Sequence, residues 1–476
     1  MSGPSVLPHD PSWWFADAMR LEGDAAPALT GELTVDVAIV GGGYTGLWTA
    51  LALKAREPSL SIALIEAGLC GSGASGKNGG KVHGYWASLS SMSKNLGDDA
   101  ALSVARAGAM AQDGLRAFAT APGRDVWWRE AGDVRVSASP AQDAKIASYV
   151  DTAKRLGVPD AARELTPAEV AAICKSPVFR GGVMLSEGAN VHPARLARAL
   201  RKAVIEAGVQ LYENSAMTGL DMVRVGGAPN RMRTAGGQIV ARDVVLATNC
   251  ELAALPQIWP HVTIFSSFAV MSEPAPEELA AMGWGKDEGF SDMRMFVHYF
   301  RKTADGRVLM GSGSGPISYG GNTTKPYLRQ DAASAARAER GLRRLLPGLK
   351  DVPIARAWGG PIDVSADRLP FFKTLPGTRV HYASGYSGHG VNPTYIGGQC
   401  LASLVLGEKD MWSSLPLCTR EVPRLPPEPF RIIGGRMIRR AVIACEEAEE
   451  RNRPAPPLAA MTAALPRLFG LRIGTR

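Results

Sequence analysis

A chain of 476 residues, 46% hydrophobic and 21% charged, has room for two interleaved domains and an extension, and its composition excludes fibrous, low-complexity and disordered classes. The formal charge of +8 comes from basic residues scattered among acidic ones. It attracts anions weakly and, without a helix-turn-helix, zinc-finger or RNA-binding signature, points away from nucleic acid.

The N-terminal segment lacks the basic start and apolar run of a signal peptide. Residues 35–40 form a short apolar run, 41–46 read Gly-Gly-Gly-Tyr-Thr-Gly, and a helical segment follows with Leu47, Ala50, Leu51 and Leu53. The stretch 35–53 is apolar enough to imitate a membrane span, but its glycine turn makes it a buried strand and helix instead. A second apolar run, 61–65, ends at Glu66. Together these are a strand-turn-helix-strand unit of about 30 residues, the size of a dinucleotide-binding βαβ. Residues 71–80 are a loop of glycine and serine, 99–119 read as a helix, and 126–137 alternate like strands of a separate sheet.

The α/β pattern then resumes. Pro193 sits in the first turn of a helix with Leu196, Leu200, Ala203 and Val204 on one face and Gly208 past its end. Residues 209–213 and 244–247 read as strands of the first sheet; 262–271, 293–300 and 307–311 read as antiparallel strands; 326–346 is mainly helical. A last strand, 380–383, leads through a glycine-rich turn into a helix over 391–406. Beyond it come a proline-rich stretch, 420–431, a helix over 437–451, and a tail, 456–476, whose Leu, Phe and Arg residues suit packing on the main body or a subunit interface. Six cysteines, Cys70, Cys174, Cys250, Cys400, Cys418 and Cys445, lie far apart with no CxxC pair. They read as reduced thiols of a cytoplasmic protein, and no metal site is expected.

The chemistry starts at the glycine turn. Gly41, Gly43 and Gly46 fit G-x-G-x-x-G: the first permits the tight turn, the second admits a pyrophosphate to the backbone, and the third lets helix and strand pack closely. Glu66, at the end of the following strand, stands where a carboxylate binds ribose hydroxyls. This fingerprint alone does not separate NAD from FAD. Three further segments do: the loop Gly73-Ala74-Ser75-Gly76-Lys77-Asn78-Gly79-Gly80, the strand end Leu246-Ala247-Thr248-Asn249, and the turn Gly385-Tyr386-Ser387-Gly388-His389-Gly390.

Taken with Ser12-Trp13-Trp14, these motifs resemble the D-amino-acid oxidase and glycine oxidase (DAO) superfamily of FAD-dependent oxidoreductases, nearest to the branch containing gamma-glutamylputrescine oxidoreductase. The resemblance runs from about Ser12 to Gly407, with Lys77 standing where the branch usually has Arg; charge is kept, but a planar fork becomes a point charge. It implies FAD in extended form. Adenine lies near Glu66, Ala67 and Met217, pyrophosphate on Gly41, Gly43, Tyr44, Thr45 and Gly46, and Ser75, Gly76, Lys77, Asn78, Gly79 and Gly80 run along the flavin. Ala247 and Thr248 stand at the crevice edge, and Gly385, Ser387, Gly388, His389, Gly390 and Val391 meet the pyrimidine end of the ring. Relatives that tether flavin covalently use a Cys on the late strand or a His in the early loop. No Cys lies between 357 and 372 and no His between 70 and 82, so the expectation is non-covalent FAD, with His83 as the one candidate tether.

The expected fold is α/β (α+β): a Rossmann-like FAD-binding domain visited three times (34–124, 187–258, 355–410), an inserted antiparallel substrate domain (125–186, 259–354) and an extension (411–476). The expected activity is oxidation of the C–N bond of a small amine or amino acid, with oxygen or another acceptor taking the electrons. An NAD-dependent dehydrogenase and a non-catalytic, partner-dependent flavin module are the alternatives. Substrate contacts are sought at His389 and on the strand holding His298, Tyr299 and Arg301, where alternation lets only one of the pairs His298/Phe300 and Tyr299/Arg301 face the pocket. Tyr85, Trp86, Asp363 and Arg368 are weaker candidates for substrate contact, read first as structural. Sarcosine-oxidase-type relatives carry a lysine on an inserted-domain strand to assist oxygen; strand 307–311 has none, leaving Lys77 or His389 to supply that charge. Sequence fixes neither the amine nor the oligomeric state.

Overall fold

A computed structural model describes residues 12–21 and 24–468. The first sheet has a parallel core, Gln210–Tyr212, Ile62–Ile65, Gly31–Val40 and Gly237–Leu246, extended by Val380–Ser384 in parallel with Gly237–Leu246. Antiparallel strands Met217–Asp221, Asn230–Thr234 and Phe371–Thr374 finish its edges. Residues 37–40 and 62–65 are buried without a break, as strands covered on both faces must be. Helix Tyr44–Arg56 crosses over between the first two strands, and helix Val391–Leu406 lies on it, backbone close to backbone where Gly398 meets Trp48.

The second sheet has eight strands in the order Ile354–Ser365, Val262–Ser272, Val308–Ser312, His298–Lys302, Gly289–Asp292, Asp133–Ser137, Gly181–Leu185 and Arg163–Leu165. All its pairings are antiparallel except that of Gly289–Asp292 with Asp133–Ser137. Helix Ala332–Leu345 covers one face and buries Ala335, Ala338, Leu342 and Leu345 there.

Three sequence expectations shift. The domain boundary at 354/355 cuts off strand Ile354–Ser365, which pairs along Val262–Ser272 and so belongs to the second sheet. The strand expected over 293–300 starts only at His298, because Asp292 accepts the N–H groups of Arg294 and His298 and folds the intervening residues into a turn. The helix expected from 437 spans Phe430–Glu450 and runs through Gly434 and Gly435; a Cβ on Gly435 would come within 3.0 Å of Ile317, so glycine there serves packing rather than termination. The final helix, Pro457–Leu468, packs on Phe430–Glu450 and leaves Leu458 and Met461 exposed. The rest of the expected tail, 469–476, lies outside the described residues. Among the described residues, no helix is long and apolar enough to cross a membrane.

Candidate functional site

A cavity of about 1050 Å³ runs along the carboxyl ends of the parallel strands and under the second sheet, at the upper end of the size range of small-molecule and cofactor sites. Its walls include Gly41, Gly43, Tyr44, Thr45, Glu66, Ala67, Met217, Ala247 and Thr248 from the first sheet and its turns. Ser75, Lys77, Asn78 and Gly79 line it from the loop, and Ser387, Gly388, His389, Gly390 and Val391 from the late turn. Segments up to 350 positions apart thus form one surface.

Local chemistry explains each wall. Gly41 has φ +111°, and a Cβ there would stand 2.6 Å from the Ala247 carbonyl oxygen, so only glycine fits beside the neighbouring strand end. Gly46 does not line the cavity; a Cβ on it would lie 2.0 Å from the Gly41 carbonyl oxygen, which is the helix-against-turn packing its place in the motif demands. Glu66 Oε2 accepts the Gly42 N–H at 2.7 Å and Oε1 the Gly68 N–H at 2.9 Å, fastening the second strand to the turn. Burial pushes its carboxyl pKa up against those bonds.

Helix Tyr44–Arg56 begins with no side-chain cap and no acidic residue in its first turn; so does helix Val391–Leu406. Both open onto this cavity, so it receives the positive ends of two helix dipoles. The two turns are also bridged directly, Thr45 Oγ1 to the Tyr386 hydroxyl at 2.8 Å.

The loop is held from beneath. Ser12 Oγ donates to the Gly76 carbonyl, and Trp14, fully buried, packs near the Arg301 guanidinium. Trp358 Nε1 donates to the Lys77 carbonyl at 2.8 Å. Arg301 Nη1 donates to the carbonyls of Val191 at 2.8 Å and Gly80 at 3.2 Å. Gly76, Gly80 and Gly385 stand behind the wall rather than on it.

Of the strand residues considered for substrate contact, Tyr299 lines the cavity and lies against Gly79 and Gly311. Arg301 shares its face but ends on the loop carbonyls. His298 is on the opposite face, with Nε2 3.0 Å from Arg294 and Nδ1 3.4 Å from Asp292, packed on Gly341. Neither His298 nor Arg301 reaches the cavity. Alternation gave the face correctly; it could not give the reach.

His389 stacks on His83 with ring centroids 4.2 Å apart, and its Nε2 lies 2.9 Å from the His83 carbonyl oxygen. That carbonyl can only accept, so His389 Nε2 carries the proton and Nδ1 is the acceptor nitrogen. Arg135 donates to His83 Nε2 at 3.4 Å, which assigns the His83 proton to Nδ1. Burial, then the positive charges of Arg135 and Lys81, hold His83 well below the usual histidine range, so it is neutral. Of the residues read as structural, Tyr85, Asp363 and Arg368 also line the cavity; Trp86 does not. His83, seen in the sequence only as a tether, and Arg135, Lys81, Lys94 and Lys145, not singled out there at all, complete the wall.

The sequence profile of the DAO family, described as "FAD dependent oxidoreductase", matches residues 36–404. The chain is similar to gamma-glutamylputrescine oxidoreductase of Escherichia coli (strain K12), 29% identical over 90% of this chain and 95% of that protein. It is similar to probable oxidoreductase OrdL of Rhizobium meliloti (strain 1021), 30% identical over 92% of this chain and 96% of that one. Among solved structures it resembles glycine oxidase from Geobacillus kaustophilus, with a TM-score of 0.66 at 21% identity over 82% of this chain and 100% of that one, a likeness of fold.

Proposed function

The chain belongs to the DAO family of FAD-dependent oxidoreductases that act on amines and amino acids, and from that membership we propose that it oxidises the C–N bond of a small amine at the cavity between its two sheets. The observation that carries this reading is the pair of uncapped helix N-termini opening onto one elongated cavity. One suits a pyrophosphate; the other suits the electron-rich end of a reduced ring. The residues present fit FAD. A cradle at Gly41 and Gly43 has no side chain to fill it, and the Tyr85 hydroxyl, buried at the cavity wall, finds no hydrogen-bond partner among the described residues.

In this reading Gly41, Gly43, Tyr44 and Thr45 hold the pyrophosphate, Glu66 the ribose, and Met217 packs beside the adenine. Ser75, Lys77, Asn78 and Gly79 lie along the ring. Bound FAD supplies a two-electron acceptor for the hydride on the carbon next to the amine nitrogen. The amine must lose a proton from nitrogen as that carbon loses hydride, and His389 Nδ1 is the acceptor we assign to it. Water then adds to the imine, giving a carbonyl and a released amine. Tyr299 and the second sheet above it exclude bulk water and orient the reacting carbon.

Anaerobic mixing of the FAD-loaded enzyme with a panel of primary, secondary and phosphono-amines tests the activity. At least one amine should bleach the flavin, and no bleaching by any member would sink the reading. The position of Leu309, under Gly79 on a strand with no lysine, further predicts that a dye reoxidises the bleached enzyme faster than air-level oxygen does. Non-covalent FAD has its own check: acid precipitation should leave all yellow colour in the supernatant, whereas colour in the pellet would mean a covalent link.

A further inference from the structure

The C-terminal extension carries a surface that the reaction does not use. Helix Phe430–Glu450 is fastened along its inner face to the second sheet and the turns beside it. Arg431 Nη1 donates to the carbonyls of Trp259 at 2.8 Å and Val262 at 2.9 Å, and Arg439 Nε donates to that of Gly315 at 2.8 Å. Glu446, buried, accepts the N–H groups of Met295 at 2.8 Å and Phe296 at 3.0 Å. Held near both ends and in the middle, the helix cannot roll its outer face inward.

That outer face is apolar. Phe430, Ile433 and Met437 follow one another at helical spacing and are all exposed, as is Arg440 beyond them. Helix Pro457–Leu468, packed on this one, leaves Leu458 and Met461 exposed as well. These two helices, of 21 and 12 residues, hold five of the twelve exposed large hydrophobic side chains among the described residues. The three most exposed of all are among them: Leu458 at 79%, Phe430 at 70% and Met461 at 68%. Apolar side chains scattered singly over a surface need no explanation, but a row of them on a fixed helix marks a contact face.

The charge beside this row is positive. Residues 411–476 contain eleven arginines and six glutamates, and so five of the chain's eight net positive charges. No acidic residue lies between 429 and 445, the stretch that holds Arg431, Arg436, Arg439 and Arg440. Arg431 and Arg439 end on carbonyls beneath the helix, whereas Arg436 and Arg440 are exposed next to the apolar row. Three of the four acids at the helix end are engaged: Glu446 on the backbone, Glu447 with Arg340 at 3.9 Å and Glu450 with Arg294. A second copy meeting this face across a two-fold axis would therefore bring arginine towards arginine with little carboxylate to separate them. An anionic lipid surface supplies what the face lacks, acyl chains for Phe430, Ile433 and Met437 and phosphates for the guanidiniums beside them. We infer that the outer face of helix Phe430–Glu450 docks the enzyme on an anionic phospholipid bilayer. Among the described residues no helix is fit to cross the membrane, so the chain lies on one leaflet. Nothing in this depends on which amine is oxidised.

Sedimentation of the FAD-loaded full chain with sucrose-filled vesicles is the test. At low salt, vesicles of phosphatidylcholine with about one-third phosphatidylglycerol should bind the protein at least tenfold more tightly than phosphatidylcholine alone. About 0.5 M NaCl should remove most of that preference. The double variant Arg436→Gln/Arg440→Gln should lose at least tenfold in affinity for the anionic vesicles, and so should Phe430→Ser/Met437→Ser. Both should keep the wild-type melting temperature, because the replaced side chains are exposed. Binding that is absent, equal on the two kinds of vesicle, or unchanged in either variant overturns the inference. Light scattering decides for the rival occupant. A wild-type dimer that Phe430→Ser/Met437→Ser turns into a monomer, with no attachment to vesicles, would make this face a contact between copies instead.

Discussion

A Gly43→Val variant should fold as the wild type does and purify without yellow colour. Gly43 has φ −83° and ψ 179°, an extended conformation that valine adopts freely, so the backbone is not strained by the change. A Cβ at this position would meet a single neighbour within 4 Å, Ser75 Oγ at 3.1 Å, and the remaining space is the cavity itself. Two methyl groups would then occupy the room left for a phosphate at the helix N-terminus, and FAD affinity should fall by more than a hundredfold. Gly46→Val is the contrasting case. Its Cβ would run into the Gly41 carbonyl at 2.0 Å, and the damage should appear in the fold, with loss of expression or a collapsed melting temperature. Circular-dichroism melts of the apoproteins, with FAD titrations followed by fluorescence, separate the two effects. A Gly43→Val protein that binds FAD at wild-type strength would remove the pyrophosphate from this turn.

What could be read in the sequence follows from how local each constraint is. The turn from Gly41 to Gly46 is legible because its glycines answer to atoms a few residues away or on the adjoining strand, and the apolar runs at 35–40 and 61–65 announce buried parallel strands. The late turn is legible as a glycine pattern ahead of an apolar helix. The cavity wall made by Lys81, Arg135 and Lys145 is not, because these residues come from separate elements and no spacing relates them. His298 and Arg301 failed for a different reason. Strand periodicity divides residues between two faces, but a long side chain on the correct face can still end on a backbone carbonyl, as Arg301 does. The signal available for Arg301 was the loop it serves: glycine-rich backbone passing between elements leaves carbonyls that something must satisfy.

Asp363 shows how a residue read as structural shapes the site, and replacing it should have the second-largest effect. Its carboxylate accepts the N–H of Gly385, a hydrogen bond from Ser384 Oγ at 3.2 Å and one from the backbone of Tyr386, so it pins the turn that leads into helix Val391–Leu406. Asp363→Ala leaves those donors buried and unmatched, at about 1–3 kcal/mol for each one that water cannot reach. The apoprotein should lose stability accordingly and bind FAD poorly, because the His389 turn is no longer held against the cavity. Asp363→Asn separates hydrogen bonding from charge. Burial raises the carboxyl to about 6 from an ordinary 3.8, so the folded protein holds this proton more tightly than the unfolded chain does. The stabilisation that follows is whole below pH 4 and is lost as pH climbs through 6, a change of about 3 kcal/mol. Asparagine cannot ionise, yet with its carbonyl oxygen in the place of Oδ2 it still accepts both the Gly385 N–H and the Ser384 hydroxyl. Urea denaturation of the two apoproteins between pH 4 and 7 should therefore show the Asn variant gaining on the wild type as pH rises and matching or exceeding it at neutrality, with the Ala variant below both throughout. A stability difference between wild type and Asp363→Asn that does not change over that range would mean that Asp363 carries no raised pKa, and that its charge is balanced within the turn.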